Sequence, residues 1–139
     1  MTEDNTATRI ALMDVMARYA RGVDQRDMQM YRRCFSDDVK VIGFGNQVFE
    51  GAEAWLRYVT KALEKFGATQ HMLGPQLATV DGDTASTRTD VQALHFLKDD
   101  PDTTQTLWAT YNTEMKRFDG EWKITRHELE TRGTRTQKG

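Results

Sequence analysis

The sequence has a single cysteine, only two prolines and no long apolar run. One cysteine, Cys34, excludes an internal disulfide framework and a cysteine-based zinc site. No apolar run approaches the ~20 residues that a membrane span needs. The polar first residues, MTEDNTATR, do not read as a signal peptide. These absences predict a cytoplasmic protein with no membrane partner.

Neither sign of charge dominates the chain. The chain has 19 Lys and Arg and 21 Asp and Glu, which gives a net charge of -2. It has no basic block of the kind that indicates nucleic acid as a partner. The three histidines are widely spaced, and the sequence has no H-E-x-x-H motif and no glycine-rich phosphate loop. We therefore expect no metal, nucleotide or flavin cofactor. A length of 139 residues suits one domain, 1–139, with its own core.

The first half of the chain predicts helices. Apolar residues recur on one face of a first helix, which we expect to end at Gly22. Asp27 is placed to cap a second helix, Met28–Phe35. The next segments predict a small hairpin, Val39–Phe44 with Gln47–Phe49, and then a third helix after Gly51.

The second half predicts long strands separated by tight turns at Asp81-Gly82 and Asp119-Gly120. The expected strands are Thr69–Val80, Thr84–Lys98, Gln105–Phe118 and Trp122–Glu130. Gly74-Pro75 interrupts the first of them and favours a bulge or bend. Residues 132–139 lack apolar side chains and are expected to form a loose tail.

Helices followed by an antiparallel meander predict an α+β fold. Three helices cannot cover both faces of so long a sheet. We therefore expect a strongly curved, antiparallel or mixed sheet, wrapped over the N-terminal helices as a cone that encloses a pocket.

Two histidines lie in otherwise apolar strands. Strand alternation places His95 on the inward face with Val91, Ala93 and Leu97, and His71 lies in the segment TQHMLG. A lone inward histidine is usually a core residue bonded to a backbone carbonyl. Two of them beside a pocket favour proton transfer, because imidazole exchanges protons near neutral pH.

Three further residues are candidates with an open alternative each. Asp24 is either a cap between two helices or, because Asp27 is the better-placed cap, free to point into a site. Tyr19 and Tyr111 are either amphipathic core residues or hydroxyl donors to a ligand carbonyl.

Several segments together resemble the SnoaL-like branch of the nuclear transport factor 2-like superfamily, over nearly the whole chain. They are RYARGVDQRD, FSDDV, FEG, TQHMLG, VDGDTA and FDGEWKI. Within that branch the chain is most similar to the scytalone dehydratases and hexachlorocyclohexane dehydrochlorinases. The resemblance implies an Asp–His dyad, Asp24 with His71, that removes a proton without metal or cofactor. It also implies that His95 is a second pocket histidine.

The departures from the pattern concern substrate recognition. The scytalone enzyme has a Tyr at the position of Val23 and another Tyr near the position of Gly43. Scytalone itself is therefore not the expected substrate. Tyr111 or Tyr19 could replace a missing hydroxyl.

The sequence therefore predicts a cofactor-independent lyase or isomerase. Asp24 and His71 are the expected catalytic residues, and His95, Tyr19 and Tyr111 the expected substrate-binding residues. The substrate would be a small, mostly apolar molecule, cyclic or aromatic, and Tyr111, His95 or a water would donate to its developing enolate. The alternative is a non-catalytic ligand-binding or accessory subunit.

The outer sheet face, with Trp108, predicts a homotrimer or homodimer.

Overall fold

The computed structural model describes residues 4–139. Three helices and six strands follow one another along the chain. The elements are α1 (Thr6–Gln25), α2 (Met28–Arg33), β1 (Phe35–Ile42), β2 (Phe49–Glu50), α3 (Ala52–Leu63), β3 (Phe66–Asp81), β4 (Thr84–Leu97), β5 (Thr103–Phe118) and β6 (Glu121–Lys138). No helix among residues 4–139 is both long enough and apolar enough to cross a membrane.

The first helix does not end at Gly22, as the sequence had suggested, but continues to Gln25. Gly22 is instead a point of close approach, because a Cβ there would lie 3.0 Å from the backbone nitrogen of Tyr31 on α2. The helix ends at Arg26, whose left-handed backbone directs its N–H to the carbonyls of Gly22 and Val23. The missing side chain at Gly22 therefore serves packing of α2 rather than helix termination.

Asp27 caps α2 as expected, since its carboxylate accepts a hydrogen bond from the Met30 backbone N–H at 3.1 Å. The helix is shorter than predicted, however, and Phe35 already belongs to β1. Phe35 is fully buried and pairs with Ile124 of β6, so tertiary pairing overrides the helical pattern there. The partner strand of the small hairpin, predicted at Gln47–Phe49, is Phe49–Glu50 in the structure.

The six strands form one mixed, unclosed and curved sheet in the order β2-β1-β6-β5-β4-β3. β1 runs parallel to β6, and all other neighbouring pairs are antiparallel. The helices cover its inner face, with α1 lying against β3 and β6 and α3 against β1 and β2. The predicted α+β class is confirmed.

Register shifts bend the long strands. One separates Leu73 from Gln76, at Gly74-Pro75, where the sequence predicted a bend. Two more lie in the β5–β6 pair, between Trp108 and Ala109 and between Glu114 and Met115. Bulges increase local twist and bend a strand, so they allow this sheet to curve over the helices.

The C-terminal residues 132–138 belong to β6, and the expected loose tail is not what the structure shows. These residues pair with β5 from Thr103 to Trp108. The segment is almost entirely exposed, so its composition gave no strand signal. Backbone hydrogen bonds of the long β5–β6 hairpin hold it in place.

Candidate active site

Asp24 and His71 meet at the C-terminal end of α1. Nδ1 of His71 lies 2.8 Å from Oδ1 of Asp24, and the backbone N–H of His71 donates to Oδ2 at 2.8 Å. The Thr69 hydroxyl donates to Oδ1 at 3.0 Å. Asp24 therefore accepts three hydrogen bonds from β3 and does not cap a helix.

The pKa of Asp24 is lowered, although the two main causes oppose each other. Burial raises it, while the hydrogen bonds from the ring and backbone of His71 and from Thr69 lower it, and together they outweigh burial. Asp24 is therefore a carboxylate at neutral pH.

The carboxylate determines which nitrogen of His71 is available as a base. Because an ionised carboxylate only accepts hydrogen bonds, Nδ1 of the neutral ring carries the proton and Nε2 carries the lone pair. Among the hydrogen bonds within residues 4–139, none involves Nε2 of His71. The His71 side chain is 10% exposed and that of Asp24 is 19% exposed, so solvent still reaches both.

His95 lies beside the dyad, with its ring centroid 5.7 Å from that of His71. Its Nδ1 donates to the backbone carbonyl of Gln105 at 3.0 Å, the bond expected of a core histidine. Burial lowers the pKa of His95, an effect that the Gln105 carbonyl partly offsets. The neutral ring therefore presents Nε2 as an acceptor only, so it cannot donate to an enolate as the sequence analysis had allowed.

Tyr19 and Tyr111 are buried together in the interior, with ring centroids 5.1 Å apart. The Tyr19 hydroxyl lies 2.9 Å from Nε2 of His127, which favours a core role for Tyr19. Burial raises the pKa of both tyrosines well above its ordinary value. Both hydroxyls therefore remain protonated and can donate hydrogen bonds. The charge of Asp24 adds to the rise in the pKa of Tyr111.

The sequence analysis assigned no face to His127. It is fully buried between the Thr113 and Tyr19 hydroxyls, and burial lowers its pKa to about 3. Simple alternation from Trp122 and Ile124 places residue 127 on the outer face. The register shift between Glu114 and Met115 reverses that alternation, and a bulge of this kind leaves little signal in the sequence.

Five cavities among residues 4–139 are lined by residues other than the dyad. One of about 510 Å³ is lined by α1, α2 and β6 around Cys34, and one of about 360 Å³ lies by Met72, Trp108 and Arg132. None of five such cavities within residues 4–139 is lined by Asp24, His71 or His95. Tyr19, Tyr31 and Tyr111 pack together in the interior between the helices and the sheet.

No group of three or more His, Cys, Asp or Glu side chains within residues 4–139 is arranged to hold a metal ion. Asp24 and His71 hydrogen-bond each other, but no third side chain of these types among residues 4–139 completes such a group with them.

These features define a small α+β protein with a partly buried Asp–His pair at the junction of its first helix and its curved sheet. The profile of the SnoaL-like domain matches residues 4–128, and the chain belongs to that family, in the nuclear transport factor 2-like superfamily. Among curated proteins, none matches the chain significantly.

Solved structures of the same fold cover nearly all of the chain. A candidate scytalone dehydratase from Novosphingobium aromaticivorans is 24% identical, with a TM-score of 0.89 over 97% of this chain and 91% of that one. A type 2 hexachlorocyclohexane dehydrochlorinase is 24% identical, with a TM-score of 0.86 over 96% and 90%. A candidate aromatic ring hydroxylase from N. aromaticivorans is 25% identical, with a TM-score of 0.87 over 99% and 96%. At these identities the likeness establishes the fold.

Proposed function

We propose that the protein is a lyase or isomerase that uses Asp24 and His71 to remove a proton from carbon. The observation that carries this proposal is the 2.8 Å contact between Nδ1 of His71 and Oδ1 of Asp24, with Nε2 free of protein partners among residues 4–139. A structural aspartate between two helices would cap α2, but Asp27 already does so. The names of the similar structures, a dehydratase candidate and a dehydrochlorinase, support an elimination.

The reaction would proceed by transfer of one proton and a shift of two electron pairs. Nε2 of His71 takes the proton from a carbon next to a carbonyl, and Asp24 stabilises the resulting imidazolium. The electron pair of the broken C–H bond forms a carbon–carbon double bond. In an elimination, a halide leaves the neighbouring carbon with the electron pair of its bond, or a hydroxyl leaves with that pair and takes the proton from the His71 imidazolium to become water. In an isomerisation, the imidazolium returns the proton to another carbon.

The neighbours of the dyad divide the remaining roles. Tyr111, with a protonated hydroxyl, is the candidate donor to the developing enolate oxygen. His95, neutral and with Nδ1 engaged by Gln105, would accept a hydrogen bond from a substrate hydroxyl. The apolar residues Ala93 and Val91 on the same inner sheet face favour a small, mostly apolar substrate, cyclic or aromatic.

The proposal extends to cofactor need, location and oligomeric state, for which the sequence supplied the expectations. The enzyme would work without metal or organic cofactor in the cytoplasm, and it would form a homotrimer or homodimer through the outer sheet face. Strand register aligns Met72, Gln92 and Trp108 in one row on that face. Met72 is 59% exposed, and Leu77 of the same strand is 75% exposed.

A non-catalytic small-ligand-binding or accessory subunit is the second candidate. Two observations favour this candidate. Tyr19, Tyr31 and Tyr111 fill the interior between the helices and the sheet. Neither Asp24 nor His71 lines any of the five cavities described within residues 4–139. Such a protein would bind a ligand without exchanging its protons.

Proton exchange tests the proposal before the natural substrate is known. A panel of small cyclic and aryl ketones, with and without a β-hydroxyl or β-chloro group, is incubated with the protein in D2O and followed by proton NMR. We expect deuterium at the α-carbon of at least one ketone, and loss of the β-group where one is present.

The Asp24→Asn variant provides the control, because its side chain has a similar shape but no charge. It should abolish the exchange in the folded protein. Binding without any exchange in the wild-type protein would support the second candidate, and equal exchange in Asp24→Asn would exclude the dyad as its source.

A further inference from the structure

Arg26 occupies an unusual position directly after α1. Its φ is 58°, in the left-handed region that an arginine seldom adopts. This conformation turns the chain back after Gln25 and places the guanidinium against β3. The Arg26 side chain is therefore held by β3 as well as by the end of α1.

The guanidinium joins the end of α1 to the beginning of β3. Nη1 donates to the carbonyl oxygen of Val23 at 2.7 Å and to the hydroxyl oxygen of Thr69 at 2.9 Å. Nη2 donates to the carbonyl oxygen of Gly67 at 2.6 Å. β3 shifts register against β4 between Phe66 and Thr69, so this bridge lies at an irregular part of the sheet.

The bond from Arg26 determines where the Thr69 hydroxyl sends its proton. A hydroxyl has one hydrogen, and Arg26 can only donate to its oxygen. The Thr69 proton is thus directed to Oδ1 of Asp24, 3.0 Å away. That same oxygen accepts from Nδ1 of His71, so the three contacts form one chain from Arg26 to the base.

We propose that Arg26 and Thr69 are positioning residues, which align the Asp24 carboxylate on His71 and keep it ionised. Their catalytic consequence rests on the proposed function, whereas their effect on Asp24 does not. The titratable and charged groups around Asp24 are Arg26 beside it, His71 on β3, His95 on β4 and Tyr111 on β5. Neither Arg26 nor Thr69 needs to touch substrate.

A second arrangement of the same residue types offers a matched control. Arg132 donates to the Thr110 hydroxyl, which donates to Oδ1 of Asp90 at 2.7 Å. Thr110 is as deeply buried as Thr69, but Asp90 points to the opposite face of the sheet, and no histidine among residues 4–139 hydrogen-bonds it. Loss of the second arrangement should disturb the sheet to a similar degree without affecting Asp24.

The test measures the carboxyl carbon of Asp24 by NMR from pH 7 to pH 2, in the wild-type protein and in folded variants. Thr69→Val removes the hydroxyl, and Arg26→Gln removes the guanidinium. We expect each to raise the pKa of Asp24, a roughly three- to tenfold decrease in its acid dissociation constant. Thr69→Ser should restore the wild-type titration. Thr110→Val and Arg132→Gln should leave it unchanged.

Unchanged titration of Asp24 in both Thr69→Val and Arg26→Gln would overturn the proposal. An equal shift in Thr110→Val would overturn it too, because the effect would then be general loosening of the sheet. The NMR result is independent of turnover, so a failure of the proposed function would appear separately, as no exchange with any ketone. With an active substrate, Thr69→Val should lower kcat by about tenfold and change KM less.

Discussion

The Nδ1 atom of His71 lies 2.8 Å from Oδ1 of Asp24, and the backbone N–H of the same histidine donates to Oδ2. Both oxygens of one carboxylate thus contact one residue of the neighbouring strand. This arrangement orients the ring, fixes its tautomer and leaves Nε2 as the available base. The predictions below follow from it and from the residues around it.

Replacing either member of the dyad should remove most activity from a folded protein. Asp24→Asn cannot stabilise an imidazolium, and His71→Ala has no base, so we expect a loss of about 10²-fold or more in kcat. Circular dichroism and melting temperature should remain close to wild type. Asp27→Asn is the control, because asparagine also caps helices well, and it should keep full activity. Unfolding of Asp24→Asn, or full turnover by His71→Ala, would refute the assignment.

His95→Gln should change substrate affinity or rate with little loss of stability. The amide can still donate to the Gln105 carbonyl, but it places its acceptor differently from Nε2 of the neutral ring. Steady-state kinetics and thermal melting of the same preparation check this. A lower melting temperature with unchanged kinetics would mean that His95 is a core histidine only.

His127 should make the protein less stable as the pH falls. Its pKa is about 3 in the folded protein and about 6.5 in an unfolded chain. At a pH between these two pKa values, His127 binds a proton in the unfolded state but not in the folded state. The free energy of unfolding therefore decreases on acidification, by up to about 1.4 kcal/mol per pH unit. Asp24, whose pKa is also lowered, adds to this loss only at about pH 4 and below.

Urea unfolding at pH 7, 6, 5 and 4 measures this dependence. The slope between pH 6 and pH 4 should be smaller in His127→Asn, which has no titrating group. In the wild-type protein, the ring carbon signals of His127 should not move over the same range. Parallel pH dependences in the two proteins, or a histidine that titrates near pH 6, would contradict the prediction.

Trp108 should contribute to self-association. It lies in the row with Met72 and Gln92 on the outer sheet face, beside a cavity of about 360 Å³. We expect a dimer or trimer by light scattering at micromolar concentration, and dissociation in Trp108→Lys. Val48→Lys, at an exposed position in the β1–β2 connection, is the control and should not dissociate. A monomeric wild-type protein would disprove the interface.

Activity should decrease on acidification and survive chelation. His71 must be neutral to accept a proton, so protonating it removes the base. Rates measured between pH 8 and pH 5, before and after exhaustive dialysis against EDTA, check both expectations. A rate that rises as the pH falls from neutral, or one restored only by added zinc or iron, would remove His71 from the role of base.

Local sequence signals were sufficient for most elements, but the pairing of Asp24 with His71 was implied only by the family resemblance. The tight turns at Asp81-Gly82 and Asp119-Gly120, the alternation in β4 and the cap at Asp27 all act over a few residues. Because Asp27 was the better cap, Asp24 could be recognised as a candidate for another role. Its partner His71 came from the family pattern, since 47 residues separate the two in the chain.

Other features depended on contacts between distant segments. Gly22 remained helical because α2 packs against it, and residues 132–138 became a strand through pairing with β5. The environment of His127 followed from a bulge that reversed the strand alternation. Arg26 and Thr69 gave no signal at all, because their effect on Asp24 requires the end of α1 to meet the start of β3.

The sequence by itself determined the α+β class, the order of the elements and the residue types available for proton transfer. These depend on hydrophobic periodicity, turn chemistry and caps, which act within a few residues. Only the tertiary structure decided which nitrogen of His71 is free, why His95 accepts rather than donates, and how Thr69 aligns Asp24. Hydrogen-bond direction, burial and bulge register arise when segments far apart in the chain are brought together, and no local pattern encodes them.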